Sequence, residues 1–164
     1  MGQEHISLRH KLPHSMRLVL LGALAAILSG CSARNDVSAD TRQLMQTSRD
    51  WARVTAGGNV DAIVDYWTDD AVVMIPGLPT FRGKSAIRKY VEQSLKTPGF
   101  HISWEPLEAH ISSSGEMGYM LERSSVTMAD AKGISTPQQF RALTIWRKGN
   151  DGKWRNVVDA SISD

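Results

Sequence analysis

From residue 100 onward the chain is four runs rich in β-branched and aromatic residues, cut by three turn-forming clusters: Ser112-Ser113-Ser114-Gly115, Asp130-Ala131-Lys132-Gly133 and Gly149-Asn150-Asp151-Gly152. Turns this short join antiparallel neighbours, so most of the C-terminal half has to form an antiparallel meander. In the first run Phe100, Ile102 and Trp104 alternate, and after Pro106 the phase slips to Leu107, Ala109 and Ile111. A bulge or bend at Pro106 accounts for the slip.

The N-terminal half has the helical period instead. Asp40 with Gln43 reads as a capping box. Leu44, Thr47, Ser48, Trp51, Val54 and Thr55 then recur at helical spacing up to Gly57-Gly58. Asn59 caps a short second helix with Val60, Ile63 and Tyr66 or Trp67 inward. Residues 71–75 form a short apolar strand stopped by Pro76, Gly77 and Pro79. A third helix over about residues 84–96 puts Ile87, Tyr90, Val91 and Leu95 on one stripe. Three helices, an inserted strand and a four-run meander make an α+β plan, with helices packed on one face of a strongly bent, mostly antiparallel sheet and a pocket between them.

The ends limit where such a domain works. In "MRLVLLGALAAILSGC", residues 16–31, one positive charge at Arg17 precedes an apolar run and the small residues Ser29 and Gly30 before Cys31. The run is too short for a membrane span and reads as a secretory signal, with Met16 a second candidate start. Its ending, Leu28-Ser29-Gly30-Cys31, resembles the bacterial lipobox, which implies cleavage before Cys31 and lipidation of its thiol. Ser32 then implies sorting to the outer membrane, facing the periplasm. The expected organisation is signal peptide 1–30, lipidated Cys31 and tether 31–43, and domain 44–164. Cys31 is the sole cysteine, so no internal disulfide can form. Removing residues 1–30 takes three of 19 basic and one of 17 acidic residues, leaving 16 of each. A neutral domain without a basic run carries no electrostatic footprint for nucleic acid.

Five segments in order carry a family resemblance: "W-x-x-x-x-A-G-G-N-V-D-A-I", "Y-W-T-D-D-A-V-V-M-I-P-G", "F-R-G-K-S-A-I-R", "S-S-G-E-M-G-Y" and "I-W-R-K-G-N-D-G-K-W-R-N-V-V-D". Together they resemble the NTF2-like superfamily, and within it the SnoaL-like and DUF4440 group, over roughly residues 44–161. The resemblance implies a cone-shaped α+β fold. Its ketosteroid isomerases use an Asp base before a Pro turn, a Tyr and a protonated Asp. Carried over by motif, these positions fall at Ile75, Trp51 and near Leu143 or Thr144, so isomerase chemistry of that type is not expected.

Other motifs are excluded on spacing. Gly83-Lys84-Ser85 fails as a phosphate-binding loop, because five residues rather than four separate Gly77 from Gly83 and bulky side chains fill the loop. His101 and His110, nine apart on one run without a carboxylate pair, read as strand residues rather than zinc ligands. Serines 112–114 read as turn formers, with no His to activate them. No metal and no cofactor is expected.

What remains is aromatic. The expected pocket lining is Trp51, Tyr66, Ile75, Trp104, Tyr119 and Phe140, with Glu122 and Asp159 as candidate catalytic acids; the family pattern also allows Asp159 to cap or orient the first helix. The expected function is a membrane-anchored module holding a small apolar or amphipathic molecule in its cone. One alternative is a SnoaL-like or isomerase-like enzyme using non-standard pocket acids. Another is a homodimeric interaction module with a vestigial pocket. A homodimer is expected in either case.

Overall fold

The computed structural model describes residues 36–163. The signal peptide and Cys31 lie outside the described residues. Helix α1 (Val37–Ala56) is followed by the short helix α2 (Val60–Val64), strands β1 (Trp67–Met74) and β2 (Phe81–Arg82), and helix α3 (Lys84–Lys96). The meander β3 (His101–Ile111), β4 (Met117–Thr127), β5 (Gln138–Lys148) and β6 (Trp154–Ser163) completes a six-stranded sheet in the order β2-β1-β6-β5-β4-β3. The α+β plan with its mostly antiparallel sheet is the one expected from the sequence.

Helix α1 starts earlier than the capping box at Asp40 suggested. Asp36 is the N-cap, its side chain accepting from Ala39 N at 3.1 Å. Asp40 instead lies in the first turn and pairs with Lys148 of β5 at 2.6 Å. The tether expected through residue 43 therefore gives way to helix at Val37, since Asp36 caps as well as Asp40 and a strand cation takes the latter's carboxylate. Leu44, Ser48 and Trp51 form the buried stripe, a spacing of four and three that keeps one face inward. Asn59 caps α2 as expected, its side chain accepting from Ala62 N at 3.1 Å.

Strand β1 is longer than residues 71–75. It begins at Trp67 and pairs in parallel with β6, with an irregularity between Trp67 and Val72. The two-residue β2, which the sequence did not suggest, pairs antiparallel with Val72 and Val73. The bulge at Pro106 is present: β3 and β4 lose register between Pro106 and Glu108. Leu107 is the extra residue and is 50 % exposed, whereas Ala109 and Ile111 pack on the core.

The core is centred on Trp51. Its ring lies edge-on to Trp67 at 4.7 Å, Trp104 at 4.9 Å and Trp146 at 5.6 Å, and stacks with Tyr66 at 5.8 Å. Offset and edge-to-face pairs of this kind add to burial alone. Ile87 and Val91 of α3 close the same core from the other side.

Candidate functional site: an apolar cavity with two acids

Strand parity decides which side chains can meet under the helices. On β4 the inward set is Gly118, Met120, Glu122 and Ser124; on β5 it is Ala142, Thr144 and Trp146. The register Glu122↔Ala142 and Thr144↔Asp159 carries the inward face across to β6. Glu122 and Asp159 thus sit two strands apart on one face, with β5 between them.

Between this face and the helices lies a cavity of about 110 Å³. Trp51 and Thr55 of α1, Tyr90 and Val91 of α3, and Ile102 and Trp104 of β3 form its walls. Trp67, Phe100, Ile75, Glu122, Ala142 and Asp159 also border it. Its surface is predominantly apolar, and no lysine, arginine or histidine lines it among the described residues. An apolar cavity of roughly 150 Å³ accepts a molecule the size of benzene, so this one suits a single ring or a short chain.

Glu122 is 3 % exposed and is held by hydroxyls. Ser48 Oγ donates to one carboxylate oxygen, and Thr144 Oγ1 donates to the other at 3.3 Å. Each hydroxyl accepts in turn from an indole: Trp104 Nε1 reaches Ser48 Oγ at 3.0 Å, and Trp146 Nε1 reaches Thr144 Oγ1 at 2.9 Å. The chain Trp104–Ser48–Glu122–Thr144–Trp146 therefore links α1 to three strands. Burial pushes the Glu122 carboxyl up to about 7; the Ser48 hydrogen bond opposes that rise, while the negative charge of Asp159 adds to it.

Asp159 has a different environment. No donor among the described residues bonds to its carboxyl, and desolvation alone raises it to about 6. It is half-buried because it borders the cavity. Opposite, burial lifts the Tyr90 phenol, with a further push from Asp159. The Thr55 hydroxyl borders the cavity without a hydrogen-bond partner. Two carboxyls at the edge of neutrality, facing an apolar space, can accept or donate a proton or hold a polar ligand group.

Of the residues expected to line the pocket, Trp51, Ile75 and Trp104 border this cavity, as do Glu122 and Asp159. The indole N–H of Trp51 is already committed to Ile63 O at 3.2 Å, so Trp51 offers only its apolar ring. Tyr66, Tyr119 and Phe140 are not in the lining. Tyr66 stacks on Trp51 but borders a separate polar depression with Asp50, Asp65 and Lys153. Tyr119 has the outward parity of β4 and stacks on His110 at 4.9 Å. Phe140 has the inward parity but pairs with Ser124 and Ser163 at the far end of β5. Asp159 makes no cap to α1. Ser48 was not singled out as a site residue in the sequence, and Thr144 was named only as one of two positions where the family's third acid falls. The available signal was a small polar residue on an apolar helical stripe, between Leu44 and Trp51.

The sequence profile of the SnoaL-like domain matches residues 44–161. No curated protein matches the sequence. Among solved structures, a ketosteroid isomerase-like protein from Erwinia carotovora atroseptica superposes with a TM-score of 0.66 at 22% identity, over 79% of this chain and 99% of that one. An NTF2-like superfamily protein from Salmonella enterica gives 0.64 at 12% identity, over 77% and 92%. An NTF2-like protein with a cystatin-like fold from Novosphingobium aromaticivorans gives 0.57 at 15% identity, over 90% and 85%. At these identities the likeness is one of fold.

Proposed function

This chain belongs to the SnoaL-like domain family, and from that premise and the geometry of the cavity we propose that it binds a small apolar or amphipathic molecule between the helices and the sheet. The observation that carries the reading is the cavity itself, walled by Trp51, Trp67 and Trp104 and floored by Glu122 and Asp159. An apolar pocket with a few convergent polar groups is the arrangement by which proteins hold small molecules. The ring or chain of the ligand lies against the indoles, and its polar end meets the acids. A lipid on Cys31 holds the domain at a membrane.

A thermal-shift series with benzyl alcohol, phenol and hexanol tests this. A ligand present at one hundred times its dissociation constant adds about 2.7 kcal/mol, or several degrees in a domain of this size. A series without any shift, on folded protein, overturns the reading.

A second reading is proton transfer on the bound molecule. It is favoured by one observation, the Glu122 carboxyl raised to about 7 beside an apolar space, which suits a general acid or base working near neutral pH. The site that the family resemblance assigns to a base holds Ile75, which borders the cavity and transfers no proton. Catalysis here would therefore run through Glu122 or Asp159, and turnover would be lost in Glu122→Gln or in Asp159→Asn.

A further inference from the structure

We propose that the ligand of this cavity is a small organic cation, a protonated amine on a single ring or short chain, held by Asp159 and Glu122 within the aromatic walls. The inference rests on the binding reading above and adds the ligand's charge.

Three features point to a cation. The cavity presents two carboxyls and, among the described residues, no basic side chain to balance them. The half-buried Asp159 carboxyl faces the cavity and lacks any donor among the described residues. Unpaired carboxylates in such surroundings require either a proton or a counter-charge. Finally, the walls are aromatic: Trp51, Trp67, Trp104, Tyr90 and Phe100 all border the space. Ring faces attract organic ammonium groups, and the attraction grows where water is excluded.

The competing ligand charges fit less well. An anion would meet two acids with no cation to offset them. A neutral molecule would leave both acids to be carried as protonated groups, and would use the site only as an apolar hole. An ammonium group supplies N–H donors where Asp159 has none.

Proton linkage follows. The titratable groups around Asp159 are Glu122 on β4 and Tyr90 on α3, and Glu105 on β3 adds its charge to Glu122. The facing lining residues of α1, β1 and β5, namely Trp51, Thr55, Val73 and Ala142, carry no charge. A cation entering this set displaces protons from the two carboxyls, and its affinity rises as pH increases from about 5 to 8, the range over which they ionise.

The test compares benzylamine, benzyl alcohol and benzoate by isothermal titration calorimetry at pH 7. The result expected is benzylamine at least tenfold tighter than benzyl alcohol, competition between the two, and no binding of benzoate. Repeating the titration at pH 6 in two buffers of different ionisation enthalpy should show proton release. Asp159→Asn should cut benzylamine affinity at least tenfold, a larger loss than it causes for benzyl alcohol. If that variant does not fold, the proton release of the native protein decides by itself. Benzyl alcohol binding as tightly as benzylamine, or benzylamine binding without proton release, overturns the inference while the binding reading stands. Failure of both probes to bind overturns both.

Discussion

Ser48 of α1 donates its hydroxyl proton to the carboxylate of Glu122 on β4, so the first helix is tied to the sheet through the one acid that the core encloses most completely. Ser48 also accepts from Trp104 Nε1 at 3.0 Å. A single small side chain thus satisfies a buried indole and a buried acid together. Removing it leaves the indole without a partner and the carboxylate with Thr144 alone. Ser48→Ala should destabilise the fold by about 1–3 kcal/mol, with the larger loss at pH 8, where Glu122 is ionised, than at pH 5. Urea denaturation at the two pH values measures this.

The raised acids give stability a definite pH dependence. Burial lifts Glu122 from 4.5 to about 7 and Asp159 from 3.8 to about 6. Between pH 4 and 7 the folded chain keeps protons that the unfolded chain releases, so this contribution is complete below about pH 4 and is lost as pH rises through 7. Asp70 and Asp151, both lowered and on the surface, act in the opposite sense, losing their contribution as pH falls below their ordinary range. Glu122→Gln keeps an acceptor for Ser48 and removes the titration. It should match the native protein at pH 4 and exceed it by roughly 3 kcal/mol at pH 8, as read from denaturation curves.

Filling the cavity should abolish binding without unfolding the domain. Ala142 of β5 borders the space and is 8 % exposed. Ala142→Leu projects three further carbons into it, at a cost of no more than about 1–3 kcal/mol. Ligand-induced thermal shifts seen with the native protein should disappear in this variant, while its circular dichroism spectrum stays the same.

Gly99 matters for the cavity wall. Its φ is +68°, and a Cβ there would lie 2.9 Å from Ser135 Oγ and 3.0 Å from Ala129 N. Gly99→Ala should cost at least about 1–2 kcal/mol from the left-handed backbone alone. Because Phe100, which borders the cavity, is the next residue, ligand affinity should fall with stability. Calorimetric melting and a ligand titration on the same sample check both.

The lipid anchor proposed at Cys31 is tested at its sulfur. Cys31→Ser should move the protein from the membrane fraction to the soluble fraction and abolish incorporation of a labelled fatty acid. Retention of the serine variant in the membrane fraction would exclude the lipid anchor.

Local signals carried most of the fold into the sequence. The stripe of α1, the Asn59 cap, the helix at residues 84–96 and the slip at Pro106 all follow from spacing or from residues of fixed conformational preference. The parallel pairing of β1 with β6 and the two-residue β2 left no such trace, because both depend on partners distant in the chain. The site was legible in part. Trp104, Glu122 and Asp159 lie on inward strand positions, but parity alone could not tell the inward face from the outward one, and Tyr119 fell on the wrong side. Tyr66 was misplaced for another reason: it follows a five-residue helix, too short for its stripe to fix a direction. Ser48 was hidden because a serine among apolar helix positions is noticed only once its strand partner, 74 residues away, is known.

The most direct test of the account is a methyl NMR titration of the protein with benzyl alcohol and benzylamine. The account predicts shifts at the methyls of Ile63, Ile75 and Ile102, which border the cavity, and none at Ile162, which is exposed. No shifts at the three cavity residues, or shifts confined to Ile162, would contradict it.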